Sequence, residues 1–138
     1  YFSDFAEINN NLEEVLAEAD YLSLHIPLLP DTKGFFNKDK IAHCKAGAYL
    51  INTSRAGVVE EKDVVAALKE GRLAGYATDV WPSDPPPWDS PIFSAPNTLF
   101  TPHIGASTVE NMVRIAKIAD DIIGEYVRSN ESLSGVSS

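Results

Sequence analysis

Four short, almost wholly apolar runs recur along this chain, and they alternate with longer stretches whose apolar residues return at helical spacing. The runs are YLSLHI (21–26), AYLINT (48–53), LAGYATDVW (73–81) and TLFT (98–101). A run with apolar residues on both of its faces must be buried on both if it forms a strand. Antiparallel strands can be joined by tight turns, but here about 20 residues containing helical periodicity separate the first three runs, as a parallel crossover requires. The expected class is therefore α/β, with a parallel sheet covered by helices on both faces.

The helical stretches carry their own boundary signals. In NLEEVLAEAD, Leu12, Val15, Leu16 and Ala19 share a face, Asn11 can cap, and Glu13 and Glu14 stand where the helix dipole favours anions. Pro27 ends the first strand because it cannot donate to a ladder. Asn37 can cap NKDKIAHCK, which closes near Gly47, and EEKDVVAALKEG sets Val64, Val65 and Leu68 on one face before Gly71 stops it. Ser107 and Glu110 have capping-box spacing ahead of a long stripe through Met112, Ile115, Ala116, Ala119, Ile122, Ile123 and Tyr126. A long C-terminal helix is expected, followed by a polar, disordered tail over residues 128–138. The connection PSDPPPWDSP reads as loop.

Composition narrows the function classes. With 138 residues the chain suits one domain, and 20 acidic against 11 basic side chains give a formal charge of −9. That charge repels phosphate backbones and anionic lipid, so neither a nucleic acid nor a membrane is an expected partner. Cys44 has no second cysteine to pair with, and no signal-like or membrane-length apolar segment is present, so the cytoplasm is the default expectation. The chain opens on Tyr1 rather than methionine, as a processed protein or a partial sequence would.

In open parallel sheets ligands bind beyond the carboxyl ends of the strands, so polar residues just after each strand are the candidates. Four clusters qualify: His25 with Pro27 and Thr32; Asn52, Thr53, Ser54 and Arg55; Asp79 and Asp84; and His103. Singly, each has a plain reading. A strand-end histidine is usually a hydrogen-bonded loop residue, Arg55 could pair with Glu60, Asp79 could cap a turn, and Asp84 could merely sit among prolines. Their convergence on one sheet edge is what raises them together. His43 and Cys44 read as structural, no metal site is expected from the histidine and cysteine spacings, and Trp81 and Trp88 read as packing for the proline loop.

The segments SLHIPLLPDTKGFF, GAYLINTSRAGVVEEKDVVAALKEGRLAGYATDVW and NTLFTPHIGAST, within a match over about residues 11–127, resemble the D-isomer-specific 2-hydroxyacid dehydrogenases, whose relatives include phosphoglycerate and formate dehydrogenases. The resemblance implies a Rossmann-like NAD-binding domain over residues 1–127, of which only the later part is present. It implies that Arg55 orients the substrate, His103 exchanges the proton, and Asp79 holds the nicotinamide amide. The residues expected to line NAD are His25, Pro27, Thr32, Asn52, Thr53, Ser54, Arg55, Asp79, His103 and Gly105. The chemistry agrees: a guanidinium offers a two-pronged fork to a keto acid's carboxylate and carbonyl, and imidazole titrates near neutrality.

Two departures stand out. Family members back the histidine with a glutamate in D-V-F-x-x-E-P, where this chain reads DVWPSDPPP and places the shorter Asp84. No G-x-G-x-x-G loop occurs, so half of the cofactor site is missing from these residues. Asp4 is a weak candidate for the ribose-binding acid, and the choice between NAD and NADP is not readable. The expected function is an NAD-dependent oxidoreductase of small 2-hydroxy or 2-keto acids, acting as a homodimer. The alternative is a non-catalytic nucleotide-binding or dimerisation module.

Overall fold

The structure, a computed structural model, describes residues 5–134, and side chains as far as Ser129. Asp4 lies outside the described residues. The chain divides into two compact units, Tyr1–His103 and Ile104–Ser138.

The first unit contains α1 (Leu12–Glu18), β1 (Tyr21–Leu24), α2 (Lys38–His43), β2 (Ala48–Asn52), α3 (Glu61–Lys69), β3 (Leu73–Thr78) and β4 (Thr98–Phe100). The expected caps are in place: the Asn11 side chain accepts from the Glu14 N–H, and that of Asn37 from the N–H groups of Asp39 and Lys40. Two 3-10 turns, Ala56–Val58 and Pro91–Ser94, occupy stretches that read as loop. The second has a local cause, since Ser90 accepts from the Ile92 N–H and Pro91 supplies a pre-set φ at its start.

Each strand is shorter than its apolar run. β1 stops at Leu24 and β3 at Thr78, so His25 and Asp79 fall just past the ladder. All four strands are parallel in the order β1-β2-β3-β4, and Leu24, Asn52, Thr78 and Phe100 lie in one register row at the carboxyl end. The residues one step beyond that row are His25, Thr53, Asp79 and Thr101. Sheet register therefore brings three of the four candidate clusters to one edge directly.

The expectation that helices cover both faces is not met within this unit. Strands added in one direction with right-handed crossovers send every connection to the same side. Leu22, Leu50 and Tyr76 face that side and are buried, together with Val64, Val65 and Leu68 of α3 and with Phe36, Val58 and Ile92 from the connections. The opposite face shows Tyr21 and Tyr49, stacked with ring centroids 5.2 Å apart, and Leu99 at the β4 edge. Gly75 belongs to this face because a Cβ there would come within 2.8 Å of the Tyr49 ring and 3.1 Å of the Asn97 carbonyl.

The second unit is dominated by α4 (Val109–Ser134). Its cap is Thr108 rather than Ser107: the Thr108 hydroxyl accepts from the Asn111 N–H at 3.2 Å, while the Ser107 N–H is turned back to the Ile104 carbonyl. Thr108 precedes Asn111 by the three residues a capping hydroxyl needs, which displaces the expected capping box by one position. The helix also continues through much of the polar tail, to Ser134, because no glycine or proline interrupts it between Gly124 and Gly135. Its apolar stripe, including Met112, Ile115, Ile122, Ile123 and Tyr126, is exposed.

Leu50 is fully buried at the centre of the sheet, whereas Leu99 is 68% exposed. Leu50→Ala should cost about 2–5 kcal/mol in denaturant unfolding, and Leu99→Ala within about 0.5 kcal/mol. Equal losses at the two positions would contradict this assignment of faces.

Candidate functional site

The carboxyl edge of the sheet opens into a cleft of about 660 Å³ lined by His25, Ile26, Pro27, Leu28, Ser54 and Arg55. Two of the sequence clusters thus meet in one concavity. Each wall is built by local hydrogen bonding. Thr32 donates from its hydroxyl to the Pro27 carbonyl at 2.5 Å and accepts from the Leu29 N–H at 2.8 Å, so it shapes the 27–32 loop. The His25 ring is held by its neighbour across the strand step, with Nε2 2.8 Å from the Ser23 hydroxyl.

Asn52 does the corresponding work on the second wall. It is fully buried, its amide donates to the Arg55 carbonyl at 3.0 Å, and its Oδ1 accepts from both the N–H (3.0 Å) and the hydroxyl (2.8 Å) of Ser54. A side-chain amide that bonds the backbone on both sides of a turn fixes where the turn points. Thr53 and Arg55 are consequently exposed at its tip. Arg55 donates to the Ser54 carbonyl at 2.7 Å, and Glu60, its candidate partner, pairs with Lys62 instead. No ion pair neutralises Arg55 among the described residues, so its guanidinium can receive an anion from the cleft.

Asp79 is buried at the end of β3, where its N–H donates to the Asn52 carbonyl at 3.2 Å and its carboxylate accepts from the Thr101 hydroxyl. Next to it, the Thr78 hydroxyl donates to the Asn52 carbonyl and accepts from the Val80 N–H. The buried Tyr76 phenol is pushed up from its usual range chiefly by burial, opposed by hydrogen bonds with Thr78 and Asn52 and reinforced by Glu61. It stays neutral and belongs to this supporting layer.

His103 stands exposed in the turn after β4 with φ 58°. Left-handed backbone is uncommon outside glycine, although histidine is among the residues that tolerate it better, and such strain concentrates at functional positions. The structure does not join Asp84 to it: among the described residues no hydrogen bond or ion pair links Asp84 and His103, and Asp84 is exposed on the proline loop. That loop is tied down elsewhere, by Ser90 donating to Glu61 and by Trp81, Trp88, Phe93 and Phe100 in one aromatic cluster. Gly105 falls in the second unit. His43, bonded to the Asp39 carbonyl, and Cys44, bonded to that of Lys40, are helix-end residues away from this edge.

A parallel sheet with an arginine, a buried carboxylate and a strained histidine after successive strands is matched by one family model, "D-isomer specific 2-hydroxyacid dehydrogenase, NAD binding domain", over residues 3–105. The chain belongs to the D-isomer-specific 2-hydroxyacid dehydrogenase family. It is 33% identical to a mitochondrial formate dehydrogenase of Solanum tuberosum over 126 residues, covering 91% of this chain and 33% of that protein. It is 36% identical to the D-3-phosphoglycerate dehydrogenase of Bacillus subtilis over 128 residues, covering 93% of this chain and 24% of that one. A solved structure, an NAD-dependent formate dehydrogenase from Staphylococcus aureus in complex with NAD, superposes with a TM-score of 0.77 at 34% identity, covering 85% of this chain and 35% of that chain. The chain thus spans about a third or less of the length of these curated relatives.

The match places the chain in the NAD-binding domain of this family. Among the eight glycines no two have G-x-G spacing, so a pyrophosphate cradle is not carried by these residues. Thr101, the strand-end threonine directly before Pro-His, was not singled out in the sequence, and its hydroxyl bonds Asp79.

Asn52 is the residue on which the Arg55 turn most depends. Asn52→Ala leaves buried backbone groups unpaired and should cost about 1–3 kcal/mol, with faster proteolysis confined to the 52–56 turn. Unchanged stability and an unchanged cleavage pattern would show that the turn holds itself.

Proposed function

We propose that this chain supplies the catalytic half of the cofactor domain in an NAD-dependent dehydrogenase of small 2-hydroxy or 2-keto acids. The observation that carries the reading is the Arg55 guanidinium, without an ion-pair partner among the described residues, at a cleft that His25, Pro27 and Ser54 also line. The names of the relatives, formate and D-3-phosphoglycerate dehydrogenase, agree with small anionic substrates. The nicotinamide cofactor, when bound, would supply a hydride as NADH in reduction and take one up as NAD in oxidation. The residues of this chain bind, orient and move the proton.

Arg55 grips the substrate carboxylate and carbonyl through paired N–H groups, which orients the reacting carbon and stabilises charge that develops on the carbonyl oxygen. His103 gives a proton to that oxygen during reduction and takes one from the hydroxyl during oxidation. Asp79 accepts from the nicotinamide amide, and His25, Pro27, Thr32, Asn52, Thr53, Ser54 and Gly105 complete the chain's cofactor surface. Asp84 is the acidic group available to back His103, one methylene shorter than a glutamate, and Asp84→Glu tests whether that length limits the proton step. We place the working protein in the cytoplasm as a homodimer; no described helix is long and apolar enough to cross a membrane.

Arg55 and His103 should separate kinetically in the whole protein that carries this segment. Arg55→Lys keeps the charge and loses the planar fork, so KM for the keto acid rises and turnover falls while NADH affinity is nearly unchanged. His103→Gln should lower turnover by roughly 10²- to 10⁴-fold. Near-normal turnover would refute the role of His103. Specific NADH binding without reduction of any 2-keto acid would favour the non-catalytic module.

The exposed stripe on α4, with Met112, Ile122 and Tyr126 each more than half exposed, and the open sheet face at Tyr21 and Leu99 support self-association. Sedimentation velocity of these 138 residues at tens of micromolar should show dimers or larger species. A monodisperse monomer would count against it.

A further inference from the structure

Leu28 lines the same cleft as Arg55, and its side chain is seated on the turn that presents Arg55. A Cβ built on Gly57, two residues after Arg55, would come within 3.0 and 3.1 Å of the two δ-methyl carbons of Leu28. Gly57 is not among the glycines with positive φ, so an alanine suits its backbone. What the glycine supplies here is room for Leu28.

The backbone on both sides of this contact is held. The Gly57 carbonyl accepts from the Gly34 N–H at 2.8 Å and the Val58 carbonyl from the N–H of buried Phe36 at 3.0 Å. On the other side the Thr32 hydroxyl bonds the Pro27 carbonyl at 2.5 Å and the Leu29 N–H at 2.8 Å, which fixes both chain neighbours of Leu28. A methyl group added at Gly57 therefore displaces the Leu28 side chain rather than either backbone. The cleft itself divides by chemistry: Ile26, Pro27 and Leu28 form an apolar run after β1, and Ser54 and Arg55 a polar one after β2. The side chains of the apolar run gain from contact with hydrocarbon and give a charged or hydroxyl group no hydrogen bond in exchange for its lost water.

We propose that Leu28 is a specificity-determining residue, whose side chain, seated on Gly57, limits the length of the hydrocarbon substituent on a 2-keto acid held at Arg55. The substrate class is accordingly a 2-keto acid with a short apolar substituent. The proposal rests on the dehydrogenase reading and on the role given there to Arg55. Leu28 selects among substrates and takes no part in the hydride or proton step.

In the whole protein that carries this segment, the quantity to measure is the ratio of kcat/KM for 2-oxohexanoate to that for pyruvate. Leu28→Ala opens the wall and should raise the ratio about tenfold, within the range by which one or a few methylenes are discriminated. Gly57→Ala drives Leu28 into the cleft and should lower the ratio by about threefold or more. In the double variant Leu28→Ala/Gly57→Ala the ratio should return to that of Leu28→Ala alone, because the added methyl no longer has a leucine to displace. A contact that only braced the turn would lower the melting temperature and leave the ratio where it is in wild type. A crystal structure of the Gly57→Ala protein supplies a readout that needs no activity, since the Leu28 side chain should leave its wild-type position. An unchanged ratio in Leu28→Ala, or an unmoved Leu28 in the Gly57→Ala structure, overturns the proposal. If the wild-type protein reduces no 2-keto acid, the dehydrogenase reading fails by itself. The dissociation constants of oxamate and N-butyloxamate, unreactive carboxylates of the two lengths, then carry the same comparison, and equal ratios in wild type and Leu28→Ala overturn the proposal.

Discussion

Every feature of the site depends on one constraint of chirality. Four parallel strands laid down in sequence order, each joined to the next by a right-handed crossover, must place all their connections on one side and all their carboxyl ends along one edge. The first consequence buries Leu50, Val64 and Leu68 in a single core. The second sets residues that are far apart in the chain, such as His25, Asp79 and Thr101, one step past the same register row. Backbone hydrogen bonding between strands therefore positions the chemistry to within the precision of the ladder, before any side chain contributes.

Side chains then refine the edge at two places. Asn52 and Thr32 each spend their hydrogen-bonding capacity on backbone, folding the turns that present Arg55 and Pro27. At the other place Thr78, Trp81 and Thr101 converge on Asp79 and on the entry to the His103 turn. In both, side-chain hydrogen bonds fix the backbone of a turn at the carboxyl end of the sheet, and no side-chain N or O among the described buried ones lacks a partner. Such networks stiffen a site, since a partly broken one leaves desolvated groups unpaired.

The turns after β2, β3 and β4 bring Arg55, Asp79 and His103 to the carboxyl end of the sheet, while no two glycines of the chain have the G-x-G spacing of a phosphate-cradling turn. Tyr21, Tyr49 and Leu99 on one sheet face of the first unit, and Met112, Ile122 and Tyr126 on α4, remain exposed.

Local physics was legible in the sequence. Asn11, Asn37 and Gly71 mark helix ends because caps and stops depend on neighbours within a few residues, and the alternation of apolar runs with amphipathic stretches led to the parallel sheet. Family resemblance added the roles of Arg55, Asp79 and His103 as expectations, and family membership followed from the match over residues 3–105. What sequence could not supply was anything decided by groups distant in the chain. Whether helices lie on one face or two depends on strand order, which no local pattern encodes. The last cap is Thr108, whose hydroxyl accepts from the Asn111 N–H, rather than Ser107. The strained φ of His103, the grip of Thr101 on Asp79 and the lack of a bond from Asp84 to His103 all arise from where separate segments meet, and only the tertiary structure brings those segments together.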